Sequence, residues 1–145
     1  MKNVGPRVNI LRASEKLRSS LEALCSKRQC PSAHVLFRED GNSEGVFLVC
    51  KGKVRMSVKN LPKLNRDFGV GSLLGLPSTF TGHPYSLTAV TLAESEIAHV
   101  PREPFLDLMR ERPDLCREAT DMLGREVTFI QSALAQRRRQ LAAVL

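Results

Sequence analysis

Tryptophan is absent from this 145-residue sequence, tyrosine occurs once, and no run of apolar residues approaches the length of a membrane span. A helix that crosses a bilayer needs about 20 mainly apolar residues, so a transmembrane protein is excluded. The N-terminal residues MKNVGPRVNILRASEKL also lack the apolar block of a secretory signal peptide. We therefore expect a cytoplasmic protein without membrane contact.

Catalytic and metal-binding patterns are equally scarce. There is no Ser–His–Asp signature, no glycine-rich Walker loop and no paired-carboxylate motif, so we expect no enzyme. An iron–sulfur cluster needs four converging thiolates, and only Cys25 and Cys30 lie close together in the sequence. We interpret Cys25, Cys30, Cys50 and Cys116 as reduced, small apolar residues, with a redox-sensitive pair as the alternative.

Acidic residues are outnumbered, 15 Asp and Glu against 22 Lys and Arg, which gives a formal net charge of +7. Residues 1–28 hold seven Lys and Arg against two Glu, and Arg137, Arg138 and Arg139 form a second basic cluster. A basic surface attracts nucleic acid, but one tyrosine and no tryptophan offer little for stacking on bases. We interpret these clusters as solvated faces and expect no direct DNA binding by this chain alone.

Formal charge is missing entirely from residues 71–92, GSLLGLPSTFTGHPYSLTAVTL. With 26% charged residues in the whole chain, 22 positions would be expected to hold about six charges. Glycine and proline interrupt the segment at five places, so it is neither a plain strand nor a plain helix. We interpret it as a buried loop or as the wall of an apolar pocket.

Alternation of apolar and polar residues predicts short strands in the first two thirds of the chain. Strands are expected at 35–37, 45–50, 53–59, 86–92 and 97–100, with a tight hairpin at Lys51 and Gly52 and a polar loop at 60–66. Turns about every ten residues are typical of a small antiparallel roll or barrel. The predicted class is α+β, mainly β.

Helical spacing predicts three helices, at 9–28 (with Ser14 as an internal start), at 102–111 and from Pro113 onward. The last would be about 50 Å long, more than the width of a domain of this size. It carries a heptad seam of Cys116, Thr120, Leu123, Val127, Ile130, Leu134, Arg137, Leu141 and Val144. We expect it to pair with a second copy through Leu123, Val127, Ile130, Leu134 and Leu141. The alternative is a helix packed along its own roll.

The order of these parts resembles a known family, on the evidence of FREDG at 37–41, VFLVCKGKV at 46–54 and IAHVPREPF at 97–105. It is similar to the cyclic-nucleotide-binding domain, specifically the sensor half of the catabolite-activator and fumarate-nitrate-reduction (Crp/Fnr) regulators. The match covers residues 10–135. It implies an antiparallel β-roll, or jelly roll, of cyclic-nucleotide-binding type. The expected parts are a helical segment (1–30), the roll with a short helix (31–111) and a long dimerisation helix (112–145).

In that family the segment aligned with 71–92 is the phosphate-binding cassette, where backbone N–H groups, a Glu and an Arg hold the cyclic nucleotide. Leu73 stands at the Glu place and Tyr85 at the Arg place, so both charged residues are missing. Burying a phosphate without a cation costs several kcal/mol, so we do not expect cAMP or cGMP to bind in the usual way. The cassette residues implied by the resemblance are Gly71, Ser72, Leu73, Leu74, Gly75, Leu76, His83, Tyr85, Ser86 and Leu87.

The resemblance implies a sensor in which a ligand moves the short helix and the long helix relative to the roll. We expect no cofactor, an uncharged small molecule or nothing in the cassette, and signalling through a homodimer to a partner protein. One alternative is a transcriptional regulator of this family whose helix-turn-helix reader is lost or lies in another chain. Another is a haem or redox sensor, with His83 as the haem ligand.

Overall fold

The computed structural model describes residues 11–144, except for the side chains at positions 63, 133, 136, 137, 140 and 144. Within these residues the chain forms two four-stranded antiparallel sheets with helices at both ends. The predicted α+β roll is confirmed. No helix in this described part is both long and apolar enough to cross a membrane.

Along the chain the strands alternate between the two sheets, except that β4 and β5 follow one another in the same sheet. The first has the order β1-β8-β3-β6 and the second β2-β7-β4-β5. The strands are β1 (Ser26–Cys30), β2 (Val35–Phe37), β3 (Val46–Lys51), β4 (Val54–Ser57), β5 (Arg66–Phe68), β6 (Leu73–Leu74), β7 (Thr88–Thr91) and β8 (Ser95–Val100).

The helices are α1 (Glu15–Glu22), α2 (Leu76–Thr81), α3 (Arg102–Glu111) and α4 (Pro113–Val144), with a 3₁₀ turn at Pro62–Leu64. The predictions for α3 and for the start of α4 are confirmed. The predicted polar loop at 60–66 contains the 3₁₀ turn and leads directly into β5, which the sequence analysis missed.

The hairpin predicted at Lys51 and Gly52 is wrong. β3 pairs with β6 and β8, whereas β4 pairs with β5 and β7, so the chain crosses here from one sheet to the other. Gly52 makes this crossing at a φ of +95°, where a Cβ atom would collide with the hydroxyl of Ser95. The turn residues were recognised correctly, but sheet pairing is a long-range property that they do not encode.

The helix predicted at 9–28 is also wrong over most of its length. Ser14 caps α1 by accepting a hydrogen bond from the N–H of Leu17 at 3.1 Å, which fits the internal start. Residues 26–30 form β1, which pairs with β8, and residues 9 and 10 lie outside the described residues. Leu24, counted in the predicted apolar stripe, is 41% exposed.

The long helix α4 packs against α2 and α3 and has one buried stripe, whose members are each at most 3% exposed: Leu115, Ala119, Met122 and Glu126. The predicted heptad seam lies one residue further round the helix. Of the five residues predicted to form the dimer contact, Leu123, Val127 and Ile130 are half-buried, while Leu134 and Leu141 are 42% and 59% exposed. The side chains of Arg137 and Val144 lie outside the described ones. The pairing of this seam with a second copy stays a prediction.

Candidate cassette site

The uncharged segment starts with the edge strand β6, which lies between β3 and the chain at residues 11–13. The N–H of Gly71 donates to the carbonyl of Val49 at 2.8 Å, and β6 then pairs with β3, with Leu73 opposite Leu48. On the other side, the N–H of Leu73 donates to the carbonyl of Leu11 at 2.9 Å. Residues 71–74 are buried, so this half of the segment belongs to the core.

Gly75 turns the chain from β6 into the short helix α2. It has a φ of +92°, a conformation that favours glycine. A Cβ atom here would lie 3.2 Å from Cε1 of Tyr85, so the glycine also permits a close approach of that ring. The cassette's turn and its later tyrosine are therefore fitted to one another.

The hydroxyl groups of α2 are all used within the segment and its neighbours. Ser78 donates to the carbonyl of His83 at 2.6 Å, and Thr79 donates to that of Gly75 at 2.7 Å. Thr81 donates to the carbonyl of Pro77 at 2.8 Å. The buried hydroxyl groups of α2 are thus satisfied by backbone carbonyls of the segment without any ionised group.

Tyr85 is the residue that fixes the second half of the segment. It is 3% exposed. Its hydroxyl accepts a hydrogen bond from the N–H of Glu44 at 2.8 Å and donates one to the carbonyl of Gly45 at 2.9 Å. Burial raises the pKa of the phenol above its ordinary value, so the hydroxyl stays a donor at neutral pH. Both hydroxyl contacts are made to the chain itself rather than being left for a ligand.

An aromatic row extends from Tyr85 across the roll. The ring of Tyr85 stacks on Phe37 with centroids 4.1 Å apart, and Phe37 lies 5.5 Å from Phe47. Phe47 in turn stacks on His99 at 4.7 Å. Tyr85 and Phe37 also form one wall of a groove of about 340 Å³, whose other residues include Arg38 and Glu44.

Cationic side chains approach the segment at two places: Arg12 and Arg18 lie beside Gly71, and Arg102 lies at the C-terminal end of α2. Arg102, the first residue of α3, donates from Nε to the carbonyl of Thr79 at 2.8 Å. Its guanidinium also lies 3.4 Å from the carboxylate of Glu103. Arg102 therefore ties α3 to the C-terminal end of α2, where a positive charge suits the helix dipole.

The ten predicted cassette residues fall into two groups. Two are exposed, His83 and Ser86, and the other eight are buried: Gly71, Ser72, Leu73, Leu74, Gly75, Leu76, Tyr85 and Leu87. Leu73, at the place of the family's Glu, is 0% exposed. The structure brings these residues into one segment around Tyr85, but their binding of a ligand stays a prediction.

The cysteines do not pair as their spacing indicates. Cys25 immediately precedes β1 and Cys30 is its last residue, whereas Cys25 and Cys50 both contact Glu22. Sγ of Cys25 lies 3.3 Å from the Glu22 carbonyl, and Sγ of Cys50 lies 4.0 Å from its carboxylate. Burial raises the pKa of both Cys30 and Cys50, which makes their thiols less reactive.

Glu126 is a functional candidate that the sequence analysis missed. It is 3% exposed on the buried stripe of α4, and Oε1 has no hydrogen-bond partner among the described residues. Burial raises the pKa of this carboxyl to about 8. The available signal was the 4-3-4 spacing of Leu115, Ala119, Met122 and Glu126, in which a carboxylate occupies an apolar position.

Comparison with solved structures shows the same fold. The catabolite activator protein of Thermus thermophilus is 23% identical, with a TM-score of 0.70, over 85% of this chain and 59% of that one. The N-terminal domain of a transcriptional regulator from Streptomyces coelicolor A3(2) is 22% identical, with a TM-score of 0.58, over 96% and 92% of the two chains.

Two curated relatives match over a short part of their length. Lysophospholipase nte1 of Neurospora crassa is 30% identical over 90 residues, 60% of this chain and 6% of that protein. Patatin-like phospholipase domain-containing protein 7 of Mus musculus is 21% identical over 99 residues, 66% and 7% of the two. The chain thus spans less than a tenth of the length of these relatives.

The family model described as the cyclic nucleotide-binding domain matches residues 27–112, more than half of the chain. This range runs from β1 through both sheets and the uncharged segment to the end of α3. The chain belongs to the cyclic nucleotide-binding domain family.

Proposed function

We propose that this chain is a non-enzymatic, cytoplasmic regulatory domain of the Crp/Fnr type whose cassette does not bind cAMP or cGMP in the usual way. The observation that carries the proposal is Tyr85. Tyr85 stands at the place of the family's Arg, and its hydroxyl makes both of its hydrogen bonds to the backbone of Glu44 and Gly45. A cyclic phosphate would have to enter this segment without a cation from the segment itself to neutralise it.

Leu73 supports the same conclusion from the other half of the cassette. It is fully buried in β6, opposite Leu48 of β3. An apolar side chain there supplies no acceptor for a ribose hydroxyl. An uncharged molecule could enter the groove of about 340 Å³ beside Tyr85, where Phe37 and Leu36 offer apolar contact.

Signalling would pass through the long helix of a homodimer to a partner protein. The half-buried Leu123, Val127 and Ile130 and the exposed Leu134 and Leu141 would form the dimer contact. The first three are next to the buried stripe of α4, which packs against α2 and α3, so a shift of those helices would reach the seam directly. Exposed leucines at heptad spacing favour a second copy of α4 as their cover.

The cassette is tested by thermal unfolding with cAMP and cGMP at millimolar concentration. We expect no stabilisation of the unaltered chain by either nucleotide. Tyr85→Arg supplies the missing cation, so a nucleotide-dependent rise in Tm is expected in that variant and not in Tyr85→Phe. A rise of more than a few degrees in the unaltered chain would contradict the proposal.

A further inference from the structure

The groove beside Tyr85 combines an apolar lining with a small volume. Its apolar residues are the half-buried Val35 and Leu36 of β2 and the buried rings of Phe37 and Tyr85. Its volume of about 340 Å³ lies at the lower end of the range of about 300–1,000 Å³ that small-molecule sites occupy. The groove is therefore suited to a small ligand with an apolar part.

Three exposed polar residues line the same groove, namely Arg38, Asn42 and Glu44. None of these three side chains makes a hydrogen bond or an ion pair with another described residue. Arg38 and Glu44 thus bring a positive and a negative charge to one small groove without neutralising each other. A single ligand that pairs with both must itself carry both charges.

The loop that carries these polar groups is held by Tyr85. The N–H of Tyr85 donates to the carbonyl of Gly41 at 3.0 Å, and its carbonyl accepts from the N–H of Asp40 at 2.8 Å. Its hydroxyl bonds to the backbone of Glu44 and Gly45. Because the backbone of the loop is already fixed, a ligand that binds there has little ordering cost to overcome.

Glu44 is the acid of this loop that faces the groove. Glu39 accepts a hydrogen bond from the N–H of Lys59 at 2.9 Å, and neither Glu39 nor Asp40 lines the groove. Burial, and after it the negative charge of Glu44, raises the pKa of the Tyr85 phenol, so this carboxylate lies near the hydroxyl end of the ring. The groove therefore has one acid and one base at its polar side.

We propose that this groove binds a free α-amino acid with an apolar side chain. The guanidinium of Arg38 holds the carboxylate, the carboxylate of Glu44 holds the ammonium, and the side chain contacts Leu36 and Phe37. Such a zwitterion has no net charge. The proposal therefore rests on the proposed function, in which an uncharged molecule enters this groove, and it names the class of that molecule.

The two charges also determine which related molecules are rejected. A carboxylic acid without an amine would bring its negative charge to Glu44, and an amine without a carboxylate would bring its positive charge to Arg38. Like charges at short range repel one another. A peptide bond at either end removes one of the two charges, so a free amino acid is preferred to a peptide.

The experiment is a titration of the ¹⁵N-labelled full chain, followed by its backbone amide signals at pH 6, below the pKa of an α-amino group. The probe is L-phenylalanine. N-acetyl-L-phenylalanine lacks the ammonium, L-phenylalanine amide lacks the carboxylate, and L-serine lacks the apolar side chain. The variants are Arg38→Gln and Glu44→Gln, with Asp40→Asn in the same loop as the matched control, all at exposed positions.

We expect saturable shifts of the amide signals of Gly41, Asn42 and Glu44, with a Kd of about 1 mM for L-phenylalanine. Each of the other three compounds should bind about fivefold or more weakly. Arg38→Gln should abolish the preference for L-phenylalanine over its amide, and Glu44→Gln should abolish the preference over the N-acetyl compound. Asp40→Asn should retain both preferences.

Equal affinities for L-phenylalanine and its blocked forms would overturn the proposal. So would preferences that survive both substitutions, or the absence of saturable shifts in the groove. The thermal unfolding experiment with cAMP and cGMP keeps the two proposals separate. A nucleotide-dependent rise in Tm contradicts the proposed function, whereas failure of amino-acid binding without such a rise contradicts the ligand class alone.

Discussion

Replacing Tyr85 by Phe tests whether its hydroxyl holds the cassette closed. The substitution keeps the ring, and with it the stack on Phe37 at a centroid distance of 4.1 Å. It removes only the oxygen that accepts from the N–H of Glu44 and donates to the carbonyl of Gly45. Any loss of stability therefore comes from these two hydrogen bonds.

The two bonds should contribute unequally. Glu44 is exposed, so water can replace the hydroxyl at its N–H, and the net loss there is about 1 kcal/mol. Gly45 is buried, and its carbonyl would be left without a partner, at a cost of about 1–3 kcal/mol. Together the free energy of unfolding should fall by about 2–4 kcal/mol.

The assay is urea denaturation followed by circular dichroism. The midpoint should fall with an unchanged m-value, as expected when only stability is affected. Thr88→Val is the matched control, because the hydroxyl of Thr88 accepts a single bond, from the N–H of Glu39 at 2.9 Å. It should cost about 1 kcal/mol. If Tyr85→Phe costs no more than Thr88→Val, the hydroxyl does not hold the cassette and the reasoning fails.

Three further changes test other parts of the molecule. Burial raises the pKa of Glu126 from 4.5 to about 8. The contribution of this group to the free energy of unfolding is therefore largest below pH 4.5, and at most about 5 kcal/mol of it is lost as pH rises through 8. In urea denaturation at pH 5, 7 and 9, Glu126→Gln should remove this pH dependence of the unfolding free energy. The prediction is refuted if the unfolding free energies of the two proteins change in parallel with pH. Leu134→Asp places a charge in the predicted seam and should convert a dimer to a monomer in light scattering, whereas Gln131→Asp, also exposed on α4, should leave the dimer intact. A monomeric parent protein would refute the seam. Ser14→Ala removes the cap of α1 and the hydrogen bond of 2.6 Å to Glu118. The free energy of unfolding should therefore fall by about 1–2 kcal/mol. Ser19→Ala, at an exposed position of α1, is the control and should leave it unchanged. Equal stabilities would show that this contact contributes nothing.

The order of elements could be predicted because it rests on local signals. Pro101 and Pro113 stand just before α3 and at the first residue of α4, and the apolar run of β3 is buried at every position from Val46 to Val49. β1 could not be predicted in the same way. Its four exposed residues show no alternation, and the strand exists because its backbone pairs with β8 about 70 residues later.

The candidate site was predictable as a segment but not as a geometry. The lack of charge located residues 71–92, and the resemblance placed Tyr85 at the position of a missing cation. The sequence does not show that its hydroxyl reaches Glu44 and Gly45, since those residues lie about 40 positions earlier. Glu126 was missed because α4 carries two adjacent apolar stripes, and periodicity alone does not tell which one is buried.

Tyr85, where the aromatic row begins, allows the cassette to be followed by intrinsic fluorescence. This tyrosine is the only one in the chain, and there is no tryptophan to dominate the ultraviolet emission. The tyrosine fluorescence of the whole protein therefore originates at one point, a phenol stacked on Phe37 and bonded to the backbone at Glu44 and Gly45. Opening of this segment can be followed in the unlabelled protein, as a change in the lifetime and quenching of a single native fluorophore.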